Sequence, residues 1–377
     1  MRKFRAETVE IKPGKFFSET FNRHVNVDYL KTLNEVPIML GMFLFPRHTV
    51  RLPRIEGDAL IVLPCLIGEF IAALPALKSF IDRNRQSDFD LLVSPNVAPL
   101  ARKIKGIRRV LTARTVHQRE SERRDHSIRS HSYSTVLVLR MSPDAHRILR
   151  NINYRTLYSS VRPTFKYSLG TFILGKPIQW SNFVCDALEV LPAADRRNIL
   201  DLGKAKPRPR NIILHVNANW HMRMWARKRW IELIKHIHTE YHMEFTFIGS
   251  GKDDTKECEA IASQLGFRTR SLIGKDILQA TLAIRNAGFF IGLDSGPRNI
   301  ADFLDVPSLV LLGPSLHNFE AVSRKAVVID KIHKSISTIF TLKHISPLED
   351  VSVDDVFLAW QALYKKYGKA ARSKGAR

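Results

Sequence analysis

The strongest constraint on the fold of this chain is the regular alternation of short apolar runs with stretches of helical spacing. In the first half, an apolar run at 59–63 precedes a helical stretch at 69–83 and a second apolar run at 89–93. The second half repeats the rhythm from the run at 211–216 to the helical stretch at 228–241. Short apolar strands separated by amphipathic helices are typical of βαβ units on a parallel sheet. The sequence therefore predicts an α/β fold with two Rossmann-like halves.

Chain length and turn-forming residues predict how these halves are divided. The chain has 377 residues, which is too many for one ordinary compact core. The prolines and charges of 204–210 predict a linker between domains. We expect an N-terminal extension over 1–57, a first Rossmann-like domain over 58–203, a second over 211–350, and a C-terminal helix with a basic tail over 351–377. Ligands of such sheets bind beyond the carboxyl ends of the strands, so the cleft between the domains is the expected site.

A large excess of positive charge narrows the choice of partners. Lys and Arg number 59 against 36 Asp and Glu, which leaves a net charge of +23. This excess predicts an acidic partner, which would be a nucleic acid, an anionic membrane surface or a phosphorylated substrate. Basic residues are densest at 103–129 and 365–377, and the segment 112–134 is so poor in apolar residues that a surface insertion is predicted. Because these segments lack the interleaved aromatic residues that stack bases, no nucleic acid is expected.

Cysteine spacing and hydropathy bear on the compartment. Cys65, Cys185 and Cys258 are far apart and lack metal-ligand spacing, so neither a disulfide framework nor a zinc site is predicted. The acidic pair in Asp88-Phe-Asp90 precedes a predicted strand instead of following one, and we interpret it as a turn. The longest apolar run, 38–45, is too short to span a bilayer, and no signal peptide is recognisable. We expect a cytoplasmic protein whose membrane contact is peripheral.

The sharpest local signal for a ligand is a junction between a strand and a helix. Residues 289–304 are predicted to be a strand that continues through Asp294 and Ser295 into a helix with Pro297 in its first turn. Proline favours a helix start, and Gly296 allows a ligand to approach closely. Free amides and the helix dipole at such an end favour a diphosphate. The alternative is that Asp294 or Ser295 only caps the helix.

This junction resembles the Asp-(Ser/Thr)-Gly signature of the ADP-heptose:lipopolysaccharide heptosyltransferase family, which are inverting enzymes of GT-B fold. Three more segments are similar to motifs of that family and occur in the same order, at 67–77, 214–230 and 272–275. The first looks like its Gly-Asp-x-x-x-x-Leu-Pro-Ala-Leu, the second its Lys-x-Trp-Pro segment, and the third its Leu-x-Gly-Lys turn. The resemblance covers roughly 58–315 and implies a GT-B architecture, with two Rossmann-like domains facing each other across a cleft, and a metal-independent glycosyltransferase.

Two catalytic residues are implied by the resemblance. Glu69 stands where the family has an aspartate thought to be the catalytic base, which would take the proton of an acceptor hydroxyl during inverting attack on the anomeric carbon. The alternative is an ordinary first-turn helix acid. Arg223 occupies the family's lysine position in Lys-x-Trp, where a cation would neutralise charge on the leaving diphosphate.

Most donor-binding candidates lie on two strand-to-helix turns. Asn217 and Asn219 would donate hydrogen bonds to phosphate oxygens, or would only shape their turn. By the same resemblance, Asp294 would hold hydroxyls of the donor sugar, while the amides of Ser295 and Gly296 would meet the diphosphate.

Four more positions concern the nucleotide and the identity of the sugar. Gly249 would let the nucleotide approach, and Asp253 or Asp254 would bind ribose hydroxyls unless they are simply helix-start acids. Asn299 is counted with the donor site but replaces a histidine that the family commonly has. The resemblance implies ADP-heptose as the donor. The replacement at Asn299 and the turn at 63–66, which differs from that of the family, leave another nucleotide sugar or a loss of activity open.

The resemblance implies an acceptor as well. It is a lipopolysaccharide core or a similar anionic, phosphorylated, lipid-linked glycan, presented at the inner face of the cytoplasmic membrane. The remaining alternatives are an inactive scaffold of the same family, a nucleotide-sugar epimerase of similar architecture, and a basic nucleic-acid-binding protein.

Overall fold

The computed structural model describes residues 40–113, 131–140, 143–174, 180–196, 198–218, 223–313, 323, 325–330 and 347–369. They form two compact units, one with the described residues up to Gly203 together with Asp276–Leu278, and the other with Lys204–Lys275 and the described residues from Gln279 onward. Each unit contains one six-stranded parallel sheet. The predicted α/β fold with two Rossmann-like sheets is confirmed.

The first sheet contains the N-terminal strands. In chain order they are β1 (His48–Thr49), β2 (Asp58–Leu63), β3 (Asp88–Val93), β4 (Ile107–Thr112), β5 (Ser132–Val138) and β6 (Asn153–Ser159). The helices are α1 (Ile67–Arg83), α2 (Ala98–Ala101), α3 (Pro143–Leu149), α4 (Val161–Leu174) and α5 (Trp180–Leu188). Across the sheet the order is β1-β6-β5-β2-β3-β4. Because the strand order reverses between β2 and β5, the crevice that binds ligands in such sheets lies at the carboxyl ends of these two strands.

The second sheet repeats this plan. Its strands are β7 (Arg208–His215), β8 (Glu244–Phe247), β9 (Arg270–Ser271), β10 (Ala287–Leu293), β11 (Ser308–Leu312) and β12 (Ala326–Asp330). The helices are α6 (Arg227–Tyr241), α7 (Gly251–Ala262), α8 (Ile277–Asn286), α9 (Gly296–Phe303) and α10 (Val353–Tyr367). The order is β12-β11-β10-β7-β8-β9, so the reversal falls between β7 and β10. Strand β7 begins at Arg208, inside the segment predicted as a linker.

The last helix is part of the core of the second unit. Trp360 on α10 is fully buried, with its ring 4.8 Å from that of Phe289 on β10. Helix α10 begins with a capping box in which the Ser352 hydroxyl accepts from the Asp355 amide at 3.1 Å. The Trp225 indole donates to the Val351 carbonyl at 2.8 Å and so fixes the chain that leads into α10. The C-terminal helix therefore closes the apolar face of the second sheet.

The interpretation of Asp88-Phe-Asp90 as a turn is wrong, since both acids belong to strand β3. Asp90 is fully buried and accepts hydrogen bonds from Arg108 at 3.0 Å, Arg109 at 2.5 Å and the Tyr133 hydroxyl at 2.8 Å. Burial by itself would raise the pKa of the Asp90 carboxyl, but the bonds from Arg109 and Arg108 lower it below its ordinary value. This network joins β3, β4 and β5 at the amino side of the sheet, away from the crevice.

Candidate active site

The crevice of the second sheet brings two of the predicted segments together. Strands β7 and β10 pair in parallel, with Gly292 opposite His215, so their carboxyl ends are neighbours. Asn217 follows the end of β7, and Asp294 with Ser295 follows the end of β10. The topology thus places three of the predicted donor-binding residues at the switch point of a Rossmann-like sheet.

Two arginines engage the Asp294 carboxylate. Its Oδ1 accepts from Arg298 Nη2 at 2.8 Å, and the side chains of this pair are only 5% and 8% exposed. Its Oδ2 lies 3.8 Å from Arg223 Nη1, and the same nitrogen donates to the Asp294 carbonyl at 3.4 Å. Arg223 is the more exposed of the two cations. Asp294 therefore orients Arg223 at the crevice. The sequence did not predict this contact between the two residues.

Arg223 also lies against the loop that follows β11. A Cβ added at Gly313 would come within 2.8 Å of the Arg223 Cα and 3.0 Å of its Cγ. Real Cβ atoms do not approach other atoms so closely, so glycine at 313 makes room for the arginine. The base of the Arg223 side chain therefore lies at the end of β11, and its guanidinium reaches Asp294 at the end of β10.

Ser295 precedes α9 but does not cap it through its side chain. Its hydroxyl donates to the Leu293 carbonyl at 3.1 Å and lies 3.0 Å from Nδ1 of His215. Burial lowers the pKa of His215 to about 4, against a smaller opposing effect of the Asp254 charge, so the imidazole is neutral at pH 7. In the first turn of α9, the Asn299 amide side chain donates to the Ser295 carbonyl at 3.1 Å.

The turn after β8 is organised by Asp254 on α7. Its Oδ1 accepts from the Asn217 side chain and its Oδ2 from the Ser250 amide, both at 2.5 Å. A Cβ at Gly249 would lie 2.4 Å from that Oδ2, so this glycine makes room for the Asp254 carboxylate. Asp253 is exposed on the first turn of α7, and Asn219 lies outside the described residues. Asn217 and Asp254 thus brace two neighbouring loops at the crevice.

The crevice of the first sheet carries Glu69 and an arginine that the sequence analysis missed. Glu69 is in the first turn of α1, where its Oε2 accepts from the amide of the N-cap residue Leu66 at 2.9 Å. The same oxygen forms an ion pair with Nη1 of Arg140, which lies just beyond the end of β5. The Arg140 guanidinium stands over the Trp180 ring, 5.6 Å from its centroid. Oε1 of Glu69 takes part in neither contact.

Glu69 is therefore both a helix-start acid and a residue of the crevice. Beside it, Cys65 is buried, and burial first and the Glu69 charge second raise the pKa of its thiol well above the ordinary value. Cys65 is consequently not a thiolate nucleophile. Within the residues that the structure describes, no group of three or more His, Cys, Asp or Glu side chains is placed to hold a metal ion. Nor do those residues include a helix long and apolar enough to cross a membrane.

Comparison with known proteins finds a family match over part of the chain. Residues 180–341, which include the Arg223 and Asp294 cluster, match the model of glycosyltransferase family 9 (heptosyltransferase). This part of the chain is a heptosyltransferase-like glycosyltransferase domain. Among curated proteins, no sequence matches the chain.

Solved structures of heptosyltransferases share the fold of this glycosyltransferase. Escherichia coli ADP-heptose lps heptosyltransferase II is 19% identical, with 82% of this chain and 99% of that chain covered and a TM-score of 0.60. Heptosyltransferase WaaC from E. coli, solved with ADP, is 14% identical, with 72% and 92% covered and a TM-score of 0.59. A family 9 glycosyl transferase from Veillonella parvula DSM 2008 is 14% identical, with 82% and 97% covered and a TM-score of 0.62. The two sheets are those of a GT-B glycosyltransferase.

The two crevices of this glycosyltransferase differ in chemistry. In the second unit, Arg223 and the start of α9 offer a guanidinium and backbone amides, which are groups suited to a diphosphate. In the first unit, Glu69 offers a carboxylate oxygen able to accept a proton, held in place by Arg140. His215, Arg298 and Arg140 escaped the sequence analysis. Only Arg298 left a signal, its spacing of four residues from Asp294 on a predicted helix.

Proposed function

We propose that the protein transfers a sugar, with inversion, from ADP-heptose to a lipopolysaccharide core or a similar phosphorylated glycan. The observation that carries the proposal is the match to the heptosyltransferase family over 180–341, the span that holds Arg223 and Asp294. The E. coli WaaC structures with ADP and with ADP-2-deoxy-2-fluoro heptose support an adenine nucleotide as donor. Residues 58–203 would form the acceptor side and 211–350 the donor side.

The donor would bind at the crevice of the second sheet. Arg223 and the amides of Ser295 and Gly296 would contact the diphosphate, while Asp294 would hold both Arg223 and hydroxyls of the sugar. Of the residues around Asp254, Asn217 would reach a phosphate oxygen, and Asp253 would have an exposed carboxylate for the ribose. Binding needs no metal in this scheme, because the cationic side chains and the start of α9 supply the positive charge.

Transfer would then take place in one displacement. Glu69 accepts the proton of the acceptor hydroxyl, and the acceptor oxygen forms a bond to the anomeric carbon. The bond from that carbon to the diphosphate oxygen breaks, and the electron pair leaves on ADP, whose added charge Arg223 meets. Arg140 keeps the carboxylate of Glu69 in position through Oε2, so that Oε1 can receive the proton.

A thermal-shift screen with ADP-, UDP-, GDP- and CDP-sugars tests the donor, since a ligand of the folded state raises the unfolding midpoint by mass action. ADP-heptose should give the largest rise. If a different nucleotide sugar gave the largest rise, that sugar would be the donor in place of ADP-heptose. If none of the sugars changed the midpoint, the family member would be an inactive scaffold.

We also propose that the protein works at the inner face of the cytoplasmic membrane, where its acceptor is anchored. The net charge of +23 supports attraction to an anionic surface. Most of the basic insertion (114–130) and the end of the tail (370–377) lie outside the described residues. Removing the chain after Lys369 spares α10, which ends at Tyr367, and should weaken sedimentation with anionic vesicles at low salt.

A further inference from the structure

An apolar tip lies at the beginning of the described chain. Seven large apolar side chains are exposed among the residues that the structure describes, and three of them lie within five consecutive positions. Their exposed fractions are 63% for Leu40, 56% for Phe43 and 87% for Leu44. Apolar residues exposed singly are ordinary on a protein surface, whereas a cluster of them marks a contact surface. These three residues form the apolar tip.

A buried residue between those of the apolar tip anchors them to the first unit. Met42 is fully buried and belongs to the same core cluster as Leu60 on β2 and Leu157 on β6. A segment with one apolar side chain in the core and its neighbours in solvent is fixed to the domain at its centre. Met42 thus fixes the position of the apolar tip on the first unit.

Local contacts hold the backbone of the apolar tip. The Phe43 amide donates to the Leu40 carbonyl at 3.1 Å, and the Leu44 amide donates to the Gly41 carbonyl at 3.2 Å. The Phe43 ring meets the His48 ring edge to face, with 5.0 Å between centroids, and His48 is part of β1. Because these turns are already formed, little conformational entropy is lost when the tip meets a partner.

The residues that follow the apolar tip carry positive charge. Between positions 40 and 55 the sequence contains three arginines and no acidic residue. Arg47 and Arg51 are exposed, and Arg54 is paired with Glu56 at 3.3 Å. Leucine and phenylalanine enter the boundary between headgroups and acyl chains of a bilayer, and nearby arginines meet lipid phosphates. An anionic bilayer is therefore a partner that matches both the apolar tip and the positive charge of the segment that follows it.

We propose that the apolar tip, together with Arg47 and Arg51, docks the protein on an anionic lipid bilayer. The proposal rests on the membrane location proposed above and names the surface that makes the contact. It differs from attraction by basic segments alone. Burial of apolar side chains persists in salt, whereas attraction between exposed charges is screened.

Vesicle sedimentation of the full chain tests the proposal. With vesicles of phosphatidylglycerol and phosphatidylcholine at physiological salt, the double variant Phe43→Ser, Leu44→Ser should bind at least about tenfold more weakly. Leu191→Ser is the matched control, because Leu191 is 84% exposed in the same unit, and its binding should equal that of the wild type. Arg47→Gln with Arg51→Gln should reduce the preference for phosphatidylglycerol over pure phosphatidylcholine. Wild-type binding by the Phe43 and Leu44 variant would overturn the proposal.

A fluorescent label reports insertion directly. Cys65 and Cys258 are buried, so Cys185→Ser leaves Leu44→Cys as the site for a polarity-sensitive dye. The label should shift to the blue with anionic vesicles, and a label at Leu191→Cys should not. An unchanged spectrum at position 44 would contradict docking by the tip. Docking on a bilayer would also be contradicted if, without vesicles, the wild type were a dimer and the Phe43 and Leu44 double variant a monomer. In that case a second copy of the chain would cover the tip.

Donor binding separates this proposal from the proposed function. The rise in unfolding midpoint with ADP-heptose, measured without vesicles, should be equal in the wild type and in the Phe43 and Leu44 double variant. A wild type that docks on vesicles but ignores every nucleotide sugar would fail only the proposed function. A wild type that binds ADP-heptose but ignores anionic vesicles would fail the docking proposal and the membrane location on which it rests, and would leave the proposed sugar transfer standing.

Discussion

The Nδ1 atom of His215 lies 3.0 Å from the Oγ atom of Ser295, where β7 and β10 end side by side. Serine before a helix ordinarily uses its hydroxyl to accept from the first helical turn. Here the hydroxyl donates to the Leu293 carbonyl, and its side chain makes no capping bond. Because a hydroxyl has one proton, the two contacts form together only when Nδ1 of the imidazole carries a proton and donates to Oγ. His215 thus helps to keep the Ser295 hydroxyl away from the helix start where we propose that the diphosphate binds.

Stability should depend on pH through His215. Burial lowers its pKa from 6.5 to about 4, so between these values the unfolded chain binds a proton that the folded chain excludes. The contribution of His215 to the free energy of unfolding is therefore constant above about pH 6.5 and falls as the pH drops towards 4, by up to about 3 kcal/mol. Urea unfolding at a series of pH values measures this fall in the free energy of unfolding.

The variant His215→Asn provides the control for this pH dependence. Asparagine keeps a donor near the position of Nδ1 but does not titrate in this range. The difference in unfolding free energy between wild type and variant should shrink from pH 7 to pH 4. A constant difference would show that His215 titrates normally.

Glu69→Gln should reduce turnover by at least about a hundredfold and leave donor affinity unchanged, because a general base acts on the acceptor hydroxyl. The side-chain oxygen of glutamine can still accept from the Leu66 amide, so α1 should form normally. Steady-state turnover and the thermal shift with ADP-heptose give the two readings. Asp354→Asn is the matched control, since Asp354 is also a first-turn acid, on α10. Near-normal turnover of Glu69→Gln would leave Glu69 as a helix-start acid only.

The sequence predicted the architecture because parallel strands buried on both faces give unbroken apolar runs, as at Leu60 and Leu214, which are both fully buried. It also predicted which turns approach the crevice, because the carboxyl end of each strand is fixed once the strand is known. It could not predict the pairing of Glu69 with Arg140. These residues are distant in the chain, and only the order of β2 beside β5 brings them together. The Asp254 contact with Asn217 depends in the same way on β7 lying beside β8.

Arg298→Ala should destabilise the second unit by about 3–5 kcal/mol, because it leaves the buried Asp294 carboxylate without its closest partner. The pair Asp294→Asn with Arg298→Met should recover part of this loss, since neither charge then remains buried. Chemical unfolding of the two variants measures the effect. Equal stability of Arg298→Ala and wild type would mean that Arg223 or water compensates Asp294 fully.

Arg223→Ala should weaken donor binding and turnover together, because the guanidinium is proposed to contact the diphosphate both before and during transfer. Removal of one such donor of positive charge costs about 3 kcal/mol of barrier, which corresponds to roughly a hundredfold in turnover. Arg223→Lys should recover part of both, since lysine keeps the charge but loses the bidentate geometry. The matched control is Arg227→Ala, four residues on, where the side chain is paired with Glu257 at 2.6 Å and more exposed. If Arg223→Ala and Arg227→Ala bound ADP-heptose and turned over alike, the positive charge that meets the leaving group would have to come from a residue other than Arg223.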